Sequence, residues 1–313
     1  MVQTPVLFET FVRVDYARQV WEAIKAAQPK KLYFYSNKGR AEKEGEIERN
    51  NEIRSWVKEI DWDCELHTFF RDECVDVYTS LRGAISWLFE NEETGIILED
   101  DCVPTPAFFS FCDQMLEKYR DDMRVWYISG DNFLNNNPSG KDYLFSHNHW
   151  LYGWASWGSR WKQVPWGNAP FDLLLSSDFY KDFFKTKDQI VFRNKEILRV
   201  KDFVNRTNCW DFLFGMIADL KGALRVVPRE HLVTNIGMQG EHSAVAIKTI
   251  FSTQAQPSYT HYDLQNEPDV VEVDKEYDYL FYKKFSHYMR FYNRVFRRVI
   301  GVIYKKLNTI CKR

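Results

Sequence analysis

The sequence predicts an α/β protein built on a largely parallel central sheet flanked by helices. Three observations carry that prediction. Short apolar runs alternate with longer amphipathic segments through roughly the first 130 residues, the pattern of crossover units. One of those runs, Gly95-Ile96-Ile97-Leu98, ends abruptly in three carboxylates, Glu99, Asp100 and Asp101, where open α/β sheets keep their ligands. The chain of 313 residues, 17% aromatic with 11 Trp, is long enough and apolar enough to bury a sizeable core.

The elements follow in order. Val6 to Val14 reads as a first strand, and Asp15 as the N-cap of a helix with apolar positions Val20, Ile24 and Ala27 that ends before Pro29. Lys31 to Tyr35 is a second strand, and Ser36 to Gly39 turns out of it. A polar stretch, Arg40 to Asn51, leads into a helix around Ile53, Trp56, Val57 and Ile60. Cys64 to Phe70 is a third strand, and Val77, Leu81, Ala84 and Leu88 mark one face of the next helix. The strand that ends in the acidic triplet comes fourth. Pro104-Thr105-Pro106 fixes where the following helix resumes, with Phe108, Phe109, Cys112, Leu116 and Tyr119 on its apolar face. Arg124 to Ser129 is a fifth strand, Gly130 to Lys141 is a loop by composition, and beyond it the alternation weakens.

The triplet reads either as a solvated loop or, at the carboxyl end of a strand, as a cation site. Ionised carboxylates at adjacent positions repel one another unless a cation or hydrogen-bond donors offset them. Mg²⁺ or Mn²⁺ carrying a diphosphate is held by one or two carboxylates, with phosphates and water completing the shell.

Three further stretches stand out. His149 to Trp161 places four Trp among glycines, a pattern that serves either as a flat wall for a sugar or as core packing. Asn208-Cys209-Trp210-Asp211 opens a helix through Leu213, Ile217 and Leu220, and Asp211 in its first turn reads either as a favourably placed carboxylate or as a general base. Asn235 to Ser243 is a glycine-bearing loop suited to close approach by a phosphate, with His242 as a hydrogen-bond donor, a metal ligand or a plain loop residue.

Composition excludes some classes. The six cysteines form neither a C-x-x-C pair nor a zinc spacing, and they read as reduced thiols of a cytosolic protein. The opening MVQTPVLFETF lacks the pattern of a signal peptide. From Phe281 to Arg313 there are ten Lys or Arg and no Asp or Glu; with a formal net charge of −2 overall, the remaining body carries −12 and is a poor partner for nucleic acid. In that tail Phe281, Phe285, Tyr288, Tyr292, Val295, Val299 and Ile303 share one helical face. A basic amphipathic helix over 275–313, docked on an anionic membrane at the inner face of the cell, is the expectation; a helix packed on the body is the alternative.

ILEDDCVPTPAFFSF, GWASWGSRW, CWDFLF and VPREHLVTNIG, in that order and spacing, resemble the nucleotide-diphospho-sugar transferases of the GT-A fold. The likeness is to bacterial chains of the hemolytic-protein-HlpA-like group and, more distantly, to animal N-acetylglucosaminyltransferase I. It implies a GT-A domain over 1–270, with a nucleotide-binding half over 1–130 and an acceptor and catalytic half over 131–270. It further implies Asp101 as the ligand of Mn²⁺ or Mg²⁺, Asp100 on the ribose, Glu99 on sugar hydroxyls, and Arg13 and Asn37 near the base. The family often carries an acid where Asn37 stands. Asp211 matches the base of the inverting enzyme, and Gly237 to Ser243, with His242, a segment closing over the diphosphate. Trp154, Trp157 and Trp210 are the expected acceptor-side aromatics where the tryptophans serve as a wall rather than as core.

The function expected is therefore a metal-dependent, inverting glycosyltransferase that moves a sugar from a nucleotide donor, UDP-GlcNAc among them, to a glycan or lipid-linked acceptor of polysaccharide biosynthesis. The other readings are a sugar-nucleotide nucleotidyltransferase, which needs a Gly-rich, Lys-containing loop that Phe11 to Tyr16 does not offer, and a non-catalytic binding protein at the membrane surface.

Overall fold

The computed structural model describes residues 2–166, 170–175, 179–207, 209–237, 255 and 259–286, with backbone alone over 202–207. The alternation read in the first half is present. It runs β1 (Val6–Thr10), α1 (Val14–Ala27), β2 (Lys31–Ser36), α2 (Glu46–Ser55), β3 (Glu65–Phe70), α3 (Val77–Asn91) and β4 (Thr94–Glu99). A short strand β5 (Cys102–Pro104) precedes α4 (Pro106–Lys118) and β6 (Val125–Ser129). The second half holds β7 (Tyr143–Ser146), β8 (Trp154–Trp157), the short helices α5 (Gly158–Trp161) and α6 (Phe171–Leu174), α7 (Lys187–Thr207), α8 (Trp210–Leu220), β9 (Leu224–Pro228), β10 (Val233–Asn235) and a last helix over 275–286.

Eight strands form the main sheet in the order β3-β2-β1-β4-β8-β6-β9-β7, and β5 pairs with β10 in a second, two-stranded sheet. The strands β3, β2, β1 and β4 are mutually parallel. The other half is mixed: β8 runs antiparallel to both β4 and β6, β9 parallel to β6, and β7 antiparallel to β9. The expectation of a largely parallel sheet therefore holds for one half only. The tryptophan-rich stretch is the reason, since Trp154–Trp157 enters as a central strand between β4 and β6. It turns in at Gly153, whose φ of +64° an L side chain rarely adopts and whose missing Cβ lets Val233 pack at the turn.

Alternation along the strands sorts the core into two layers. Val6, Phe8, Leu32, Phe34, Ile96 and Leu98 face α1, α2 and α4, while Leu7, Tyr33, Tyr35 and Ile97 face α3 and α8. Trp21 anchors the first layer. It is fully buried, stacks with Phe34 at 5.5 Å and donates its Nε1–H to Glu59 Oε2 at 3.1 Å. Trp21→Ala is expected to cost about 3–5 kcal/mol, read as a fall in the urea midpoint.

Three boundaries differ from the sequence reading. α2 begins at Glu46, inside the stretch read as polar, and ends at Ser55, with Trp56–Glu59 continuing as a 3-10 turn. β1 stops at Thr10, and α1 begins at Val14 with Arg13 as its N-cap residue; Asp15 lies in the first helical turn. The last helix packs on the body. Tyr277, Phe281 and Phe285 are buried, Phe281 against Phe133 and Phe285 against Trp150 and Phe192. Phe281 and Phe285 of this aromatic face pack on the body, which supplies aromatic partners for them. Tyr288, Tyr292, Val295, Val299 and Ile303 lie outside the described residues. Among the described residues no helix is long and apolar enough to cross a membrane.

Candidate active site

The carboxyl ends of β1 and β4 lie side by side, with Glu9 opposite Glu99 in the register. Directly after β4 the chain turns through Asp100 and Asp101, and directly after β1 it reaches Arg13. These three meet. Arg13 Nη2 contacts Asp100 Oδ1 closely and Asp101 Oδ2 at 2.9 Å, and its Nε donates to Asp100 Oδ2 at 3.4 Å. Burial works against the Arg13 charge, but the two aspartates more than offset it and raise its pKa. Asp100 is pushed up to about 6, by burial first and by Asp101 next, with Arg13 opposing. Glu99 is raised well above the usual carboxylate range by burial and then by the Asp101 charge.

The short sheet holds the triplet from the other side. β5 follows it immediately, and pairing of Cys102 with Asn235 of β10 carries Ile236 and Gly237 against Asp101. Ile236 N–H donates to the Asp101 carbonyl at 2.8 Å. A Cβ on Gly237 would fall 1.9 Å from Asp101 Oδ2, so any other residue there displaces the Asp101 carboxylate. His242 and Ser243 lie outside the described residues.

Asp211 stands in the first turn of α8, and Cys209 Sγ–H donates to its Oδ1 at 2.7 Å. Burial raises its pKa, with the Cys209 thiol pulling the other way. Glu99 and Asp211 line the same cavity of about 440 Å³. That cavity brings together residues more than a hundred positions apart.

The remaining expected residues are placed as follows. Asn37 is buried, and its side chain is spent on backbone: Nδ2–H donates to Val75 O at 2.9 Å while Oδ1 accepts from Lys38 N at 3.0 Å and Val75 N at 3.2 Å. It ties the loop after β2 to the segment before α3. Trp154 and Trp157 are buried on opposite faces of the sheet, one in each core layer. Trp157 Nε1–H donates to Leu116 O at 3.2 Å. Positions three apart on a strand cannot share a wall, so packing, the plainer of the two readings of this stretch, describes them. Trp210 stacks on Trp154 at 5.7 Å and also lines the cavity.

Three features were not read from the sequence. Glu9 is 2% exposed, and among the described residues neither of its carboxyl oxygens has a hydrogen-bond partner; burial, then Glu99 and Asp100, raise its pKa well above the ordinary value. The signal was present, since Glu9 is the one charged residue in Val-Leu-Phe-Glu-Thr. Asp219 accepts from His149 Nε2 at 2.8 Å and from Tyr180 OH at 2.8 Å beneath the cavity, a convergence that sequence spacing does not announce. Asp131, after β6, is fully buried, accepts from Tyr152 N at 3.1 Å and keeps Oδ1 unpartnered among the described residues.

Burial pushes the Asp131 carboxyl up to about 8, with Arg225 opposing. A folded-state pKa above the unfolded value of about 4 means that its contribution to stability is complete below about pH 4 and is lost as pH rises through about 8. Asp131→Asn is neutral throughout. Its urea midpoint is expected to fall less than the parent's between pH 5 and pH 9; equal falls would show that Asp131 does not set the alkaline limb.

A divalent cation fits this site on one condition. Among the described residues no group of three His, Cys, Asp or Glu side chains makes a self-sufficient cage. Asp101 presents Oδ2 to Arg13 and accepts from Cys102 Sγ on Oδ1 at 3.4 Å, leaving lone pairs for a metal that arrives with the rest of its shell from phosphate and water.

No family model matches the chain, and no curated protein does. Among solved structures it is similar to the mannosyltransferase PcManGT from Pyrobaculum calidifontis in complex with GDP-Man and Mn²⁺, at 14% identity over 52% of this chain and 47% of that one, TM-score 0.36. This chain therefore spans about half the length of that mannosyltransferase. It is also similar to HddC from Yersinia pseudotuberculosis, at 8% identity over 53% of this chain and 80% of that one, TM-score 0.31. A UDP-glucose pyrophosphorylase complexed with UDP-glucose matches at 8% identity over 75% of this chain and 94% of that one, TM-score 0.33.

Proposed function

We propose that the chain transfers a sugar from a nucleotide-diphosphate donor to an acceptor hydroxyl, with a divalent cation on Asp101 and with Asp211 as general base. The observation that carries this is the placement of Glu99 and Asp211 on one cavity, beside the Asp100 and Asp101 pair that Arg13 bridges. The motif resemblance to nucleotide-diphospho-sugar transferases supports the same roles.

The division of labour follows from the donor's chemistry. A diphosphate is a good leaving group once its developing charge is offset, and the cation supplies that offset when bound. Arg13 keeps the triplet in place and lowers the repulsion within it. Glu99, whose carboxyl has no hydrogen-bond partner among the described residues, is available to sugar hydroxyls. Asp211 takes the acceptor proton as the hydroxyl attacks the anomeric carbon from the face opposite the diphosphate, which inverts configuration.

The test is a thermal-shift screen of UDP-, GDP-, CMP- and dTDP-sugars with and without Mn²⁺. One nucleotide class is expected to raise the unfolding temperature only with metal; no shift with any donor would overturn the reading. Gly237→Ala gives a second check. The added methyl displaces the Asp101 carboxylate, so metal-dependent donor affinity is expected to fall at least tenfold in a protein whose circular dichroism is unchanged.

A further inference from the structure

The cavity that ends on Glu99 and Asp211 extends well beyond them, and its far part is chemically one-sided. Trp150, Phe192, Ile197, Val200, Met216 and Phe281 form much of its wall, the last from the helix over 275–286. Two of the acids that line this far part are already spent, and the third, Glu196, has its carboxyl pKa raised by burial with Arg193 and Arg199 opposing. Asp219 is taken by His149 and Tyr180. Asp278 accepts from Ser146 Oγ at 2.5 Å, Asn148 Nδ2 at 2.8 Å and His147 N at 3.1 Å.

Two donors stay open beside this wall. Arg193 lines the cavity and donates one bond, from Nη2 to the His147 carbonyl at 3.1 Å. Asp219 and Glu196 act on it electrostatically, yet among the described residues no carboxylate lies within 4.0 Å of its guanidinium. Gln189 is 3% exposed; its Oε1 accepts from Thr186 N at 3.1 Å, which fixes the amide and leaves Nε2, buried, without a partner among the described residues. A saccharide, with hydroxyls on every side, needs many open polar partners. This wall offers apolar area and a few donors.

We propose that the cavity takes the apolar chain of an amphiphilic acceptor and that Arg193 holds the oxyanion group, phosphate or carboxylate, that such an acceptor carries. The assignment rests on the transferase reading, which makes Asp211 the end where the acceptor hydroxyl reacts. The chain supplies affinity by leaving water, and the guanidinium sets the register, being planar, always charged and suited to oxyanions.

Isothermal calorimetry on the full chain decides this with four sub-micellar probes: butyl phosphate, octyl phosphate, octanoate and octyl glucoside. Each buried methylene is worth roughly fourfold in affinity. Octyl phosphate is therefore expected to bind at least tenfold tighter than butyl phosphate, with a negative heat-capacity change. At least one of octyl phosphate and octanoate is expected to exceed octyl glucoside tenfold, and whichever is tighter names the oxyanion. Arg193→Gln is expected to erase that advantage and keep the chain-length dependence. Ile197→Trp, folded by circular dichroism, is expected to lose octyl phosphate tenfold or more.

Affinity independent of chain length in the parent overturns the proposal, whether or not Ile197→Trp folds. An anion preference that survives Arg193→Gln overturns the role of Arg193. The donor screen is independent. A parent that binds a sugar nucleotide with metal but shows no chain-length dependence loses this proposal alone, whereas chain-length-dependent binding without any donor shift overturns the transferase reading and the acceptor role together.

Discussion

Asp211→Asn is expected to lower sugar transfer by about 10²–10⁴-fold, the usual contribution of a positioned general base. The amide has nearly the shape of the carboxylate and can still accept the Cys209 thiol hydrogen on Oδ1, so folding and donor affinity are expected to stay close to the parent's. What it lacks is basicity. Release of nucleoside diphosphate, measured at saturating donor, separates the two, since the loss should fall on kcat with the donor KM unchanged. The pH profile adds a sign. Burial raises the Asp211 pKa, so the parent's acidic limb should stand above the ordinary carboxylate range: activity is complete once Asp211 is ionised and falls as pH drops through that raised value. The limb should vanish in the variant. A variant within tenfold of the parent, or one that keeps the limb, would exclude Asp211 as the base.

The second large effect is at Asp101. Asp101→Ala is expected to abolish metal-dependent binding of the sugar nucleotide, and with it the stabilisation that a donor at a hundred times its Kd confers, about 2.7 kcal/mol. The unliganded protein should not suffer. Three carboxylates crowd this turn with Arg13 as the cation in contact with two of them, and Asp101 contributes to the raised pKa of both Glu99 and Asp100. Removing one charge relieves that repulsion and leaves Arg13 to Asp100. The expected signature is therefore an unliganded unfolding temperature equal to or above the parent's, together with no response to donor and Mn²⁺. A fall in the unliganded temperature would make Asp101 a structural residue of the β5 and β10 corner.

Much of this was legible in the residue order. Most of the first six long elements could be read from apolar periodicity, because helices and strands that bury one face must repeat at 3.6 or 2 residues; α2 could not, since Glu46–Ser55 is polar on nearly every side. The acidic triplet stood out because carboxylates at the end of an apolar strand are costly without partners, and Arg13 proved to be one such partner. Asp211 was a candidate from its place in the first turn of an apolar helix, where the helix N-terminus favours a carboxylate whether or not it is a base.

The rest needed three dimensions. Whether Trp154 and Trp157 form a wall or a core depends on where strand β8 inserts, and pairing between β4 and β6 decides that, not the tryptophans themselves. Asn37, expected near the base, has both ends of its amide taken by the loop near Val75. The aromatic face of the last helix is the same in sequence whether its partner is lipid or protein; packing against Phe133, Trp150 and Phe192 decided it for Phe281 and Phe285. Sequence alone determined the periodicities and the local charge, since those depend on near neighbours in the chain. Tertiary structure decided which distant groups share a cavity, because burial, and every pKa and orphaned donor that follows from it, is a property of contacts that chain spacing does not encode.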